Sequence, residues 1–431
     1  MSELRVSVVG AGLAGCEAAY QLAKRGYCVD LYEMKPEKKS PAHKSDALCE
    51  LVCSNSLRSD RVENAVGLLK AEMRLLDSLV LRIADETRVP AGGALAVDRE
   101  GFANRVTEEI LNHPNIVLHS EEVVRLPEPP AIIATGPLTS DALAEELNRT
   151  FGEPLHFYDA AAPIVSFDSI DMTKVFRASR YGRGDDYLNC PMTRDEYFAF
   201  YRALITAETA ELHSFETPRV FEGCMPVEVM AKRGELTLCY GPMKPVGLET
   251  EQNAPFAVVQ LRQDDKDGRL FNIVGFQTNL KFGEQKRVFG MIPGLEHAEF
   301  VRYGVMHRNT FLPSPKLLNY DYQAKSVPGL FFAGQMTGVE GYVESASSGL
   351  AAAVGMDRYL RGLPPIDFTA KTAIGSLGHY VAEYLGDDFQ PMNVTFGIMD
   401  PLKKRIRNKR ERYALLAEQA LEIVKNLSQS C

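Results

Sequence analysis

Two cysteines stand where thiol chemistry could operate. Cys53 closes the run Cys49-Glu-Leu-Val-Cys53 and opens Ser54-Asn55-Ser56-Leu57-Arg58, a polar, loop-like stretch. Redox-active disulfides of reductases use two cysteines separated by four residues; here three intervene, so the pair does not read as a disulfide reductase. A lone C-x-x-x-C is also too little for zinc, which takes four ligands, and no metal site is expected. Cys224 sits in Phe221-Glu-Gly-Cys224-Met-Pro-Val-Glu, where Gly223 and Pro226 bracket it in a bend. A nucleophilic thiol needs exposure and nearby positive charge to lower its pKa, and Lys232 and Arg233 follow closely in sequence. A buried structural thiol is the competing reading for both cysteines. Cys16, Cys28, Cys190, Cys239 and Cys431 read as structural or incidental. Eight cysteines scattered over 431 residues do not make a disulfide scaffold.

The elements that must position these thiols begin at the N-terminus. Val6, Val8 and Val9 form a short β-branched run suited to a buried parallel strand. Gly10, Gly12 and Gly15, with Ala11, Leu13 and Ala14 between them, spell G-x-G-x-x-G. The first glycine allows a tight bend, the second lets backbone approach a pyrophosphate, and the third lets helix pack on strand. A helix burying Ala14, Ala18 and Leu22 then runs to Gly26. A second strand over residues 28–32 delivers Glu33, a carboxylate able to accept both hydroxyls of an adenosine ribose. Strand, turn, helix, strand and acid in that order predict a dinucleotide site. The next buried strand ends at Ala134-Thr135-Gly136. Paired with the first unit, it favours FAD over NAD or S-adenosylmethionine. Near the other end, Val327-Pro-Gly-Leu-Phe-Phe-Ala-Gly334-Gln335 supplies a second strand-to-helix turn. Its helix N-terminus points at the polar end of a flavin. Gln335 stands where many such folds carry Asp, and a neutral side chain can still hydrogen-bond the ribityl-phosphate region. Tyr342, between Gly341 and Glu344, is placed where a ring can stack near the flavin; a packed tyrosine with its hydroxyl satisfied is the alternative.

The expected architecture is α/β: a two-dinucleotide-binding (Rossmann-like) FAD domain with an inserted α+β domain. The FAD domain occupies residues 1–139 and resumes over 326–431, and the insertion spans 140–325. Helical periodicity covers residues 65–81 and 101–111, and residues 260–277 read as two strands around a turn at 264–268. The formal net charge of −9 does not announce nucleic-acid binding, so any RNA site must be a local patch. Two patches qualify. One is the tail with Lys403, Lys404, Arg405, Arg407, Lys409, Arg410 and Arg412 against the single acid Glu411. The other is Arg302-Tyr303-Gly-Val-Met-His307-Arg308-Asn309. Solvated surface is the commoner fate of such runs. With no apolar run of membrane-spanning length and no signal peptide visible, the chain reads as a soluble cytoplasmic protein without membrane contact.

Together these stretches resemble the TrmFO family, the folate- and FAD-dependent tRNA (uracil-5-)-methyltransferases, relatives of the GidA/MnmG tRNA-modifying flavoproteins. The match is carried by Val9-Gly-Ala-Gly-Leu-Ala-Gly-Cys-Glu-Ala-Ala, Leu51-Val-Cys53-Ser-Asn55-Ser-Leu-Arg and Val89-Pro-Ala-Gly-Gly-Ala-Leu-Ala-Val-Asp-Arg. It continues through the Cys224 segment, Gly241-Pro-Met-Lys, Arg302-Tyr-Gly-Val-Met-His-Arg-Asn-Thr, Gly334-Gln-Met-Thr-Gly-Val-Glu-Gly-Tyr and Phe389-Gln-Pro-Met-Asn-Val-Thr-Phe-Gly. The resemblance implies that reduced FAD, charged by NADPH or NADH, receives a methylene from 5,10-methylenetetrahydrofolate and serves as carrier and reductant, the methyl ending on C5 of a uridine, in tRNA the T-loop position 54. It implies Cys224 as nucleophile and Cys53 as base or flavin-side partner, roles that could be exchanged. The implied partners are the T-arm of tRNA and the folate, with no obligatory protein partner. Four rivals stand beside this reading, the plainest an FAD dehydrogenase on a small substrate, which would need neither the Cys224 segment nor the basic tail. One is the same chemistry on a 23S rRNA uridine. Another is a GidA-like wobble-uridine enzyme, a family with a longer C-terminal helical region. A third is a non-catalytic FAD-dependent RNA-binding protein, which would need neither thiol.

Overall fold

The computed structural model describes residues 4–40, 42–152, 155–210, 225–248, 254–386, 388–404 and 406–428, with backbone alone at 155–159 and 307–308. A five-stranded parallel sheet forms its centre, in the order Leu330–Phe332, Ala131–Ile133, Arg5–Val9, Cys28–Glu33, Ile116–Ser120. The first strand lies in the middle because both its faces are apolar: Val6, Val8 and Val9 are buried, and Val9 aligns with Ile133 on one side and Tyr32 on the other. The strand Leu330–Phe332 returns from the far end of the chain to the sheet edge, so the dinucleotide fold closes only when the second half arrives. This is the α/β class expected.

Two helices rest on this sheet, Leu13–Lys24 and Tyr342–Leu360. Their contact depends on missing side chains. A Cβ at Gly349 would sit 2.2 Å from the Ala14 carbonyl oxygen, and one at Gly15 would sit 1.7 Å from that of Gly10. Glycine at 349 lets the two helices touch, and glycine at 15 lets the first helix close on its own turn.

A second, six-stranded sheet is built from residues 164–302 and packs its own core around Phe200, Phe271, Phe276 and Phe289. Its antiparallel pair Ala257–Gln263 and Leu270–Ile273 flanks the turn read from the sequence. A short three-stranded sheet holds Ser56–Ser59 against Ala94–Val97 and Arg88–Val89.

One element differs from expectation. The periodic stretch 65–81 is two helices, Ala65–Leu75 and Leu79–Glu86. Asp77 takes a left-handed φ of 56°, and the Ser78 side chain caps the second helix by accepting from Leu81 N. Apolar spacing runs through this break because both helices bury the same core side, so periodicity alone misses it. Among the described residues, no helix is long and apolar enough to cross a membrane.

Candidate functional site

A cleft with about 1070 Å³ of empty space, part of it open to solvent, runs along the carboxyl ends of the parallel strands. Of the residues predicted to bind a cofactor, Gly10, Ala11, Gly12, Leu13, Ala14, Glu33, Thr135, Gly136, Gly334, Gln335 and Tyr342 all line it. Gly15 does not; its part is the close approach to Gly10 described above. The first turns of both central helices face the cleft, bringing unpaired N–H groups and partial positive charge to one place. A Cβ at Gly10 would collide with the Ala134 carbonyl at 2.6 Å, whereas one at Gly12 or Gly136 would meet no protein atom within 4 Å. Gly10 therefore serves the turn, and Gly12 and Gly136 leave the floor of the cleft open for a bulky anion. Glu33 accepts from Ala11 N at 2.9 Å and Lys35 N at 3.1 Å, which fixes its carboxylate at the end of its strand. Gln335 donates to Glu340. The size, the two helix N-termini and the acid fit a flavin dinucleotide.

The Cys53 loop adjoins this cleft, with Cys49, Glu50 and Val52 in its wall. Cys49 is buried, with φ 52°, and its N–H donates to Ala11 O at 3.0 Å, which ties the loop to the glycine turn. Cys49 and Cys53 are not joined in a disulfide. The Tyr342 hydroxyl accepts from Cys53 N at 2.7 Å and Ser54 N at 3.2 Å. Burial pushes its own proton affinity well up, so it stays a phenol. Cys53 is thus pinned by backbone to the first turn of the second helix.

Three arginines from three separate elements grip the same loop. Arg99 donates to Leu51 O and makes a two-pronged pair with Asp264 at 2.8 and 2.9 Å. Arg262 donates to Asn55 Oδ1 at 3.1 Å and Ser54 Oγ at 2.7 Å. Arg302 donates to Val52 O. Asn55, fully buried, in turn donates to Val97 O and Gln263 O, both at 2.9 Å. Burial works against the Arg99 charge, but the Asp264 carboxylate more than restores it. Burial lowers the pKa of both Arg262 and Arg302.

Arg302, expected on an RNA-facing surface, is therefore 8% exposed and turned onto the Cys53 loop. His307 and Arg308 lie in the strand Met306–Phe311, paired with Leu155–Ala160; their side chains lie outside the described residues. Cys224 and Arg405 lie outside the described residues. Met225, which follows Cys224, is buried and leads into the short helix Val227–Ala231. Lys403 and Lys404 are exposed, ahead of the helix Lys409–Leu427, which Asn408 caps. Sequence reading passed over Arg99, Arg262 and His43. Arg262 carried a signal, a cation in the strand Ala257–Gln263 beside the apolar Ala257, Val258, Val259 and Leu261. His43 lines the cleft, and burial, followed by the Lys35 charge, pushes its imidazole toward the neutral form.

Residues 5–364 match the family model described as glucose inhibited division protein A. The chain is 59% identical over 431 residues to the methylenetetrahydrofolate–tRNA-(uracil-5-)-methyltransferase TrmFO of Listeria monocytogenes serotype 4b (strain F2365), covering 99% of each chain. It is 60% identical over 425 residues to the protein of the same name from Bacillus cytotoxicus, covering 98% of each. Among solved structures it resembles Aquifex aeolicus GidA in the form II crystal, with a TM-score of 0.70 at 16% identity, over 99% of this chain and 76% of that one. That likeness concerns the fold.

Proposed function

The chain belongs to the TrmFO family, within the wider glucose inhibited division protein A group, and from that premise we propose that it methylates C5 of a tRNA uridine. The carbon donor is 5,10-methylenetetrahydrofolate, the target is uridine 54 of the T-loop, and the reductant is NADPH or NADH. The chain acts in the cytoplasm, without an obligatory protein partner. The observation that carries the reading is one juxtaposition. Tyr342, on the helix that opens at the dinucleotide cleft, holds the backbone of Cys53 at 2.7 Å, so a thiol stands at the edge of the flavin site.

When bound, FAD supplies the reducing equivalents that raise a folate-derived methylene to a methyl. The cleft would hold it through the Gly10–Gly15 turn, Glu33, and the Gly334 turn with Gln335. C5 of uracil is a poor nucleophile. The Cys224 thiolate adds at C6 and turns C5 into an enolate carbon that attacks the methylene. Cys53 accepts the C5 proton as base, the bond from the methylene carbon to its donor nitrogen breaks, a two-electron reduction completes the methyl, and the C6–S bond then breaks to restore the ring and free the Cys224 thiolate. Unstacking the uridine from its loop costs on the order of a few kcal/mol, which phosphate contacts at Lys403, Lys404 and Arg405, and at His307 and Arg308, help offset.

The test is trapping with tRNA carrying 5-fluorouridine, whose C5 substituent cannot leave as a proton. Wild-type protein should form a covalent complex seen as a shifted band on a denaturing gel. Cys224→Ala should form none, and Cys53→Ala should retain it. The reverse pattern would exchange the two roles. A complex that survives both substitutions would place the nucleophile elsewhere and defeat this mechanism.

A further inference from the structure

Charge balance around the Cys53 loop is unusual. The guanidinium groups of Arg99, Arg262 and Arg302 all lie within electrostatic reach of Cys53. Arg262 and Arg302 are 7% and 8% exposed. Only Arg99 has a carboxylate, Asp264, as an ion-pair partner among the described residues. Arg302 keeps a buried Nε with no hydrogen-bond partner. Buried cations without an anion are costly, and proteins seldom keep them unless something negative is close.

We infer that Arg99, Arg262 and Arg302 form a cationic cradle that holds the Cys53 loop rigid and holds Cys53 as a thiolate. The inference rests on the proposal that Cys53 takes part in the chemistry, and it makes the arginines positioning residues. Each cation reaches the loop through a different bond: to Leu51 O, to Ser54 Oγ and Asn55 Oδ1, and to Val52 O. They come from the helix Arg99–Leu111 and the strands Ala257–Gln263 and Phe300–Arg302. The loop therefore cannot shift without breaking contacts to the helix Arg99–Leu111 and to the six-stranded sheet.

Among the described residues, the other groups facing this centre do not cancel the cations. Asp264 is committed to Arg99. Glu50 acts on Arg302 at longer range, while its carboxylate accepts from Lys44 N at 3.1 Å and Ser45 N at 3.0 Å. Tyr342 remains a phenol, His43 is driven toward neutrality, and Lys44 adds positive charge. When protonated, the Cys53 thiol donates to Ala160 O at 3.7 Å, one neutral contact set against three guanidinium groups. A Cys53 thiolate would balance the excess, and an electropositive, partly exposed setting is where reactive thiols occur.

The experiment is alkylation of full-length, flavin-loaded protein with iodoacetamide from pH 5 to 9.5, with the Cys53 peptide quantified by mass spectrometry. The same peptide in the guanidinium-denatured chain is the reference. The folded Cys53 should show a reactivity midpoint about one pH unit or more below the reference. Arg262→Met and Arg302→Met should move it back toward the reference and slow alkylation at pH 7 by about tenfold, and Arg302→Lys should restore part of the shift. A wild-type midpoint at or above the reference overturns the cradle, and this arm decides even if the Met variants fail to fold. So does an unchanged midpoint in a Met variant that retains its flavin spectrum. Full methyl transfer by Cys53→Ala would instead defeat the reading of Cys53 as a reacting group and leave the alkylation result standing.

Discussion

At the scale of single residues, position matters more than identity. Tyr342 is a phenol that accepts two backbone N–H groups of the Cys53 loop. Tyr342→Phe leaves both donors unpaired, at about 1–3 kcal/mol each. We expect flavin still to bind, and methyl transfer to fall by about tenfold or more, checked by steady-state assay beside the flavin spectrum. Lys70 makes a different prediction. Its amine is buried and donates to Leu57 O at 2.7 Å and Ser59 O at 2.6 Å, under the strand that follows the Cys53 loop. Burial lowers its pKa to about 7 from 10.5. The folded state therefore binds fewer protons than the unfolded chain between pH 7 and 10.5, so this amine costs stability at pH 7 and the cost fades as pH rises. Wild type should gain stability relative to Lys70→Met from pH 7 to 9.5, read by denaturant unfolding; a constant difference would contradict the assignment. The glycine turn and Glu33 were legible because their signal is local, five or six residues deep. Arg99 and Arg262 were not, since their meaning comes from a loop more than forty positions away in sequence, where they converge only after folding.

At the scale of elements, the site depends on two helices meeting at their N-termini. Gly349 lies against the Ala14 carbonyl, where a Cβ would stand 2.2 Å away. Gly349→Val should push the second helix off the first, destabilise the fold by about 1–3 kcal/mol, and reduce flavin retained on purification. Unchanged flavin content and melting temperature would count against this packing. The strands and both turns of the dinucleotide fold could be read from apolar runs that end in glycine. The break at Asp77 could not, because a left-handed aspartate and a serine cap interrupt the backbone while the buried stripe continues. Arg302 illustrates the same difficulty. It sits on a strand whose alternation allows either face, and only the packing of the second sheet on the Cys53 loop turns it inward.

At the scale of the whole molecule, an acidic chain of net charge −9 must handle a polyanion. The tail concentrates the opposite sign: Lys403, Lys404, Arg407, Lys409 and Arg410 are exposed, ahead of or at the positive end of the helix Lys409–Leu427. Lys409 and Arg412 also lie over the Tyr413 ring, at 5.5 and 5.4 Å. Reversing Lys403 and Lys404 to Glu should weaken tRNA binding and flatten the dependence of log affinity on log salt by about two contacts' worth; an unchanged slope would remove the tail from the interface. The measurement that tests the central claim most directly is label transfer. Flavin-loaded protein is given unmodified tRNA, NADPH and methylene-labelled methylenetetrahydrofolate, with S-adenosylmethionine as the separate control donor. The account predicts label in tRNA from the folate alone, abolished when the T-loop uridine is replaced by cytidine. Label from S-adenosylmethionine, or none from the folate with flavin in place, would contradict it.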